Sequence, residues 1–324
     1  MTNEKTMRAV VARSAGGPEV LRLEHVPRPS PGLTEILVRV HAAGVNPTDW
    51  KGRAEGTHGG GPVILGYDVA GVVEEVGFGV TWLRVGDEVL GMPKFPVLPG
   101  AYAEYVVAPS RQFVRKPEAL SFEQAAGLPL AALTAWQGLV ETGGLRSGQR
   151  VLVHAAAGGV GHLAVQLAKS FGAYVVGTAS AAKHEFVRSL GADEVIDYRT
   201  EDFADVLRTR PVDLVFDPIA GDTGRRSLDV LLDGGSYVSI LPVDEATAQE
   251  GRRRGIRAEF TLVEPDRLAL TAITDLVARG KLRVELDAVF PLADAAEAHR
   301  RGETNQATGK IVLTVAPDSP TMER

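Results

Sequence analysis

The sequence predicts an α/β chain of two domains, a strand-rich, barrel-like domain and a doubly wound parallel sheet, and three observations predict it. At 324 residues the chain exceeds what one hydrophobic core usually holds. Its first third runs in short β-rich segments punctuated by Gly and Pro, the texture of all-β domains. From about Ser121 strands and helices alternate, which is the pattern of a parallel sheet.

The β-rich segments, between Met7 and Val107, are MRAVVA, VLRLEHV, EILVRVHAAGV, VAGVVEEVG, DEVLGM and AYAEYVV. The Ala/Leu-rich stretch FEQAAGLPLAALTAWQGLVETG is helical in period. After it come five strands, RVLVH, YVVGT, EVIDY, DLVFD and YVSIL, each ending where a loop can face a ligand. VEPDRLALTAITDLVARGKL reads as an amphipathic helix with Leu268, Ala272, Ile273, Leu276 and Val277 on its apolar face. The remainder returns to strand, helix, strand and is expected to fold back onto the first domain. The expected boundaries are 1–122 with 283–324 for the barrel-like domain and 123–282 for the parallel-sheet domain.

Composition removes several function classes. Hydrophobic residues at 44% and charged residues at 23% describe a chain with ample core. A net charge of −6 supplies no electrostatic drive toward nucleic acid or an anionic membrane, so neither partner is expected. The absence of cysteine excludes disulfides, thiolate nucleophiles and sulfur-ligated zinc. No apolar run reaches signal-peptide or membrane-span length, so a cytoplasmic location is expected. Met1 to Thr6 and Pro317 to Arg324 read as polar tails. Arg252, Arg253, Arg254 and Arg257 have no interleaved aromatics to stack bases and read as a solvated face. No GxSxG nucleophile elbow occurs.

The informative stretch is the turn after RVLVH: Ala155, Ala156, Ala157, Gly158, Gly159, Val160, Gly161. A strand that feeds a helix N-terminus presents free N–H groups and the positive end of the helix dipole, which suits a phosphate. Gly158 admits a pyrophosphate to the backbone and Gly161 lets the helix, expected to begin at about Gly159, pack on the strand. Ala157, Gly159 and Val160 complete the expected contact. The pattern is AxxGxxG, with Ala155 in place of the first glycine, and tight helix–sheet packing alone also accounts for small residues here. A site for NAD usually places an acid about 20 residues further on to hold the ribose 2′-OH. Here the second strand ends in Ser180, and Lys183 follows. With Tyr198 at the end of the next strand, these groups suit a 2′-phosphate, and the expected cofactor is NADPH. A solvated lysine at a helix start is the alternative for Lys183.

The motifs AAGVNPTDWK, GYDVAGVVEEVG, VGDEVLGM, GAYAEYVV, LPLAALTAWQGL, VLVHAAAGGVGHLAVQLAK, GADEVID, DLVFDPIAG and ATGKIVLTV occur in this order from Met7 to Val315. In this the chain resembles the medium-chain dehydrogenase/reductase superfamily, in its zinc-free quinone oxidoreductase, or zeta-crystallin-like, branch. The resemblance implies a GroES-like β-rich barrel domain plus a Rossmann domain. It also implies hydride transfer from NADPH to a quinone or another α,β-unsaturated carbonyl, and a homodimer through the edge strand near Arg257 to Leu262. Zinc-dependent relatives carry Cys-His and His-Glu pairs where this chain has Asn46-Pro47 and Tyr67-Asp68, and the seven histidines show no HxxxH or HxH spacing. A metal-free reaction is expected. Without a Lewis acid an alcohol is hard to ionise, whereas an enone needs mainly to be positioned.

By matching position, Asn46 and Asp49 belong beside the nicotinamide ribose and substrate, and Thr134 near the cofactor phosphate and nicotinamide. Ile240, Leu241 and Pro242 would meet the nicotinamide, Phe260 and Thr261 its carboxamide, and Lys310 would lie near the cleft. Two readings of Tyr67 stand: a phenol that orients a substrate carbonyl or donates a proton, or a packed tyrosine whose OH is satisfied locally. His58, in a Gly-rich loop expected to act as a lid, is a candidate for the substrate mouth. A 2-enoyl thioester reductase and a non-catalytic NADPH-binding sensor or structural protein are the alternative functions.

Overall fold

The structure is a computed structural model and describes residues 5–56 and 61–315. The chain forms two compact units, Met1–Leu130 with Pro265–Ala278 and Val284–Arg324, and Ala131–Glu264 with Arg279–Arg283. The first therefore includes residues 123–130 and 265–278, which the sequence reading placed in the parallel-sheet domain.

Along the first unit run β1 (Thr6–Ala12), β2 (Leu21–Pro27), β3 (Glu35–Val45), β4 (Val63–Ile64), β5 (Asp68–Val76), β6 (Glu88–Gly91), β7 (Tyr105–Pro109) and β8 (Phe113–Arg115). The second carries β9 (Arg150–Val153), β10 (Tyr174–Ala179), β11 (Glu194–Asp197), β12 (Val212–Asp217), β13 (Leu231–Ser239) and β14 (Arg257–Phe260). β15 (Leu286–Pro291) and β16 (Lys310–Thr314) return to the first. The helices are α1 (Pro47–Glu55), α2 (Phe122–Ala126), α3 (Pro129–Trp136), α4 (Gly161–Ser170), α5 (His184–Ser189), α6 (Phe203–Leu207), α7 (Gly221–Ser227), α8 (Glu245–Arg253), α9 (Arg267–Ala278) and α10 (Ala295–Glu303).

In the first unit β1, β2 and β4 form a small sheet, and the larger one is ordered β15-β16-β3-β5-β6-β8 with β7 also on β3. The long β3 is its centre, antiparallel to β5, β7 and β16. Its Ile36, Val38 and Val40 alternate onto one face and pack with Val69, Val73, Val89, Phe113, Ile311 and Leu313. α9 buries Ala269, Leu270, Ile273 and Val277, a helical stripe. Leu268, expected on that face, is exposed because Asp266 accepts the Leu268 and Ala269 N–H groups and places residue 268 in a solvated first turn.

The second unit is one parallel sheet ordered β11-β10-β9-β12-β13-β14. β9 lies at its centre with Val151, Leu152 and Val153 fully buried, as a strand covered on both faces must be apolar. The order reverses between β9 and β12, and such a sheet opens a crevice outside the carboxyl ends of its strands at that point. α4 starts at Gly161, two residues later than expected, and buries Leu163, Ala164, Val165, Leu167 and Ala168. β13 ends at Ser239, so Ile240 and Leu241 lie in the loop beyond it.

Candidate functional site

The carboxyl ends of the parallel strands bring most of the expected cofactor residues to one edge of the second unit. β9 delivers the turn 155–160, β10 Ser180, β11 Tyr198, β13 Ile240 and Leu241, and β14 Phe260 and Thr261. In the turn, Ala155 has φ +45°, a left-handed conformation that costs a non-glycine residue about 1–2 kcal/mol. Its carbonyl accepts the Gly158 N–H at 2.9 Å. A Cβ on Gly161 would stand 2.1 Å from that oxygen, so only glycine fits there, whereas at Gly158 the same oxygen is 3.2 Å away. The N–H groups of Ala157, Gly159 and Val160 donate to nothing among the described residues. Three free donors at the start of a ten-residue helix fit a dinucleotide's pyrophosphate.

The register Ala179↔Asp197 places Ser180 and Tyr198 at the ends of adjacent strands. Ser180 is nearly buried and caps a turn of 3-10 helix that ends at Lys183. Tyr198 is 56% exposed, and the Arg199 guanidinium lies 5.9 Å from the centre of its ring. Arg199 is a cation that the sequence reading missed, although its place beside Tyr198 was the available signal. No acid ends β10. Ile240 N–H donates to the Asp217 carbonyl at 3.2 Å, and Leu241 N–H to Ser239 Oγ at 3.1 Å, which fixes that loop. Thr261 is buried with its hydroxyl on Thr142 at 2.8 Å, Phe260 is exposed, and Thr134 is buried in α3.

In the first unit the expected residues meet in a buried polar cluster at the ends of β3, β5 and β16. Asn46 Nδ2 donates to Asp68 Oδ2 at 2.8 Å, and Lys310 Nζ donates to Asn46 Oδ1 and lies 3.6 Å from Asp68 Oδ2. The second Asp68 oxygen accepts the Leu130 N–H at 2.7 Å. Burial pushes the Asp68 carboxyl up and the Lys310 ammonium down, and their mutual attraction opposes both shifts. Lys310, expected near the cleft, thus spends its charge on Asp68 and Asn46. Asp49 closes the first turn of α1 by accepting Asn46 N–H at 2.7 Å, and it also accepts Gly66 N–H at 3.1 Å. Burial raises its pKa to about 7.

Tyr67 is buried, with its OH donating to the Pro96 carbonyl at 3.2 Å and its ring edge-on to Phe95. Burial, then the nearby Asp49 charge, pushes the phenol up to about 12. Behind Asp49 stand Tyr102, His299, Arg53 and Glu303. Tyr102 OH is 3.2 Å from His299 Nε2, Arg53 Nη1 is 3.3 Å from His299 Nδ1, and Arg53 pairs with Glu303 at 2.5 Å. Spacing along the chain carries no sign of this set, since 246 residues separate Arg53 from His299. His58 lies in residues 57–60, outside the described residues.

The unit with a parallel sheet of this order and a donor-rich turn is a nucleotide-binding domain of the doubly wound class, carried by a chain whose other unit is a β-rich barrel. Residues 32–118 match the alcohol dehydrogenase GroES-like domain, and residues 190–313 match the family described as zinc-binding dehydrogenase. The NADPH-dependent alkenal/one oxidoreductase of Arabidopsis thaliana is 38% identical, over 97% of this chain and 81% of that one. Among solved structures, a quinone oxidoreductase from Coxiella burnetii is similar with a TM-score of 0.89 and 40% identity, covering 96% of this chain and all of that one. The Escherichia coli quinone oxidoreductase complexed with NADPH gives 0.86 and 32% identity, covering 95% of this chain and 100% of that one. The chain belongs to the medium-chain dehydrogenase/reductase superfamily, in its quinone-oxidoreductase-like branch.

The matched description names zinc, and the residues here do not fit it. Where zinc-dependent relatives place their ligands, this chain has Asn46, Pro47, Tyr67 and Asp68, and the one carboxylate already faces the Lys310 ammonium. Among the described residues no group of three or more His, Cys, Asp or Glu could hold a metal ion, and no helix is long and apolar enough to cross a membrane.

Proposed function

We propose that the protein is an NADPH-dependent, zinc-independent oxidoreductase that reduces a quinone or another α,β-unsaturated carbonyl. The observation that carries this reading is the turn 155–160, with three N–H groups that donate to nothing among the described residues, beside a strand followed by Ser180 and Lys183 instead of an acid. The named activities of the similar proteins, alkenal/one and quinone reduction, support it. Ala157, Gly158, Gly159 and Val160 would hold the pyrophosphate. Ser180, Lys183 and Tyr198 would hold the 2′-phosphate, and Thr134, Ile240, Leu241 and Phe260 the nicotinamide half. When bound, the cofactor supplies the hydride. The chain supplies position, which is worth about 7–11 kcal/mol of barrier when reacting atoms are held in contact.

Asn46 is the side chain with a donor to offer. With Oδ1 on Lys310 and one Nδ2 proton on Asp68, its second Nδ2 proton is left for a carbonyl or a cofactor hydroxyl. Asp49 fixes the backbone beneath it. Tyr67 is protonated at neutral pH, with its OH on the Pro96 carbonyl. The reading includes a homodimer through the outer edge of β14, which among the described residues pairs only with β13.

The test is fluorescence titration with NADPH and NADH, then addition of 1,4-benzoquinone. Tighter binding of NADPH and its oxidation by the quinone are expected. Lys183→Ala should weaken NADPH by about 1.5–3 kcal/mol and leave NADH unchanged, since only NADPH carries the charged group that lysine meets. Equal binding of both nucleotides by the wild type would remove the 2′-phosphate assignment.

A further inference from the structure

His154, the residue that ends RVLVH, has no role in the reading above, yet it is 1% exposed and its ring bridges Thr178 in β10 and Ser227 at the end of α7. Its bonds have one self-consistent direction. Ser227 Oγ donates to the Thr223 carbonyl at 2.7 Å, which commits the serine proton. His154 Nε2, 2.9 Å from that Oγ, is therefore the donor of their bond. Burial lowers the imidazole pKa to about 4, so the ring is neutral and Nδ1 carries no proton. Nδ1 then accepts from Thr178 Oγ1, at 3.2 Å. With its proton spent, Thr178 Oγ1 accepts the Ala155 N–H, also at 3.2 Å.

One end of this chain is unusual backbone: Ala155, with φ +45°. The other is Ser227, the last residue of α7. That helix itself follows Ala220 at φ +61° and ψ −159°, a region left almost wholly to glycine. Asp217 holds that second bend, its Oδ1 accepting Ile219 N–H at 2.7 Å and Ala220 N–H at 3.2 Å while Oδ2 takes the Tyr237 hydroxyl at 2.8 Å. The chain crosses the reversal point of the sheet, since His154 follows β9 and Ser227 lies beyond β12.

We propose that His154, Thr178 and Ser227 are positioning residues for nucleotide binding. They hold Ala155 in its left-handed conformation, keep the N–H groups of Ala157, Gly159 and Val160 available to a ligand, and tie that turn to Ser227 at the end of α7. The proposal rests on the reading of 155–161 as the dinucleotide turn. It differs from the Lys183 argument in what it predicts: the chain serves the part of the ligand that NADPH and NADH share, so both must depend on it equally.

The experiment compares wild type with Thr178→Val, which keeps the shape and removes both hydroxyl roles, and with Thr178→Ser, which restores them. Dissociation constants for NADPH and NADH and the melting temperature without nucleotide are measured on each. Thr178→Val is expected to weaken both nucleotides by the same factor, roughly tenfold, the worth of an orphaned buried donor. Thr178→Ser should return both to within about twofold, the small residue of a group change that spares the hydrogen bonds. Ser227→Ala cuts the chain at its other end and should weaken both nucleotides equally, so it decides the matter if the valine variant does not fold. Variants that melt lower but bind both nucleotides as the wild type does would make the chain purely structural and overturn the proposal. A selective loss of NADPH alone would also overturn it. Wild type that binds neither nucleotide would instead remove the reading of the turn itself.

Discussion

Ala155 shows what a sequence pattern holds and withholds at the scale of one residue. The missing first glycine weakens the motif on paper, but the chain still makes the tight turn and takes the left-handed strain on an alanine. That Ser180 and Tyr198 follow adjacent strands was legible because strand ends in a parallel sheet share one edge. The Thr178 hydroxyl and the His154 tautomer were not, because nothing in a sequence reports which buried oxygen faces which nitrogen. His154 also makes a prediction about pH. Its folded pKa of about 4 lies below the ordinary 6.5. Between those values the unfolded chain takes a proton that the folded chain refuses. The imidazole therefore contributes stability that is present above pH 6.5 and is lost as pH falls toward 4. Asp217 favours the charged ring, while burial and Arg226 oppose it, burial most. Urea unfolding at pH 7.5 and pH 5 should show about 2 kcal/mol more acid loss in wild type than in His154→Asn, from 1.36 kcal/mol per unit. Equal losses would place the titration elsewhere.

Among elements, the strands were the most readable. β3 runs over the residues its alternating pattern marks, while β8, three residues long, is too short to show a period. α9 was recognised as a helix, with Ile273 and Val277 buried as expected, but Leu268 was misplaced, because composition gives the period and the Asp266 cap sets where the first turn meets solvent. β3, β5 and β16 meet through Asn46, Asp68 and Lys310, a junction that sequence spacing could not reveal because 264 residues separate Lys310 from Asn46. Lys310→Met should leave Asp68 buried without its cation and cost about 3–5 kcal/mol, the usual loss on halving a buried pair. Adding Asp68→Asn should recover part of that loss, as a urea double-mutant cycle would report. Strictly additive losses would mean the two side chains are not coupled.

For the whole molecule, the change from β-rich to alternating texture was enough to foresee both units. The last strand–helix–strand pattern suggested a return to the first domain, but not that its final strand pairs with β3. The edges of the units were not, since helix α9 packs on the first unit by its side chains and not by its place in the sequence. The outer strand β14 pairs on one side only, with β13, among the described residues, and carries the exposed Phe260, with Leu262 just beyond it. Unpaired edges of this kind are templates for pairing. A dimer by sedimentation velocity that dissociates when a proline replaces Glu259 is expected. A monomeric wild type would remove the homodimer from the reading.

The late arrival of β16 also orders the birth of the protein on the ribosome. Residues 131–264, nearly all of the second unit, emerge before the chain end and can fold as they appear. The first unit cannot close, because β3 waits for its partner at 310–314. During that interval Asp68 has no counter-cation, and the nascent barrel must keep the acid hydrated or neutral until Lys310 leaves the exit tunnel.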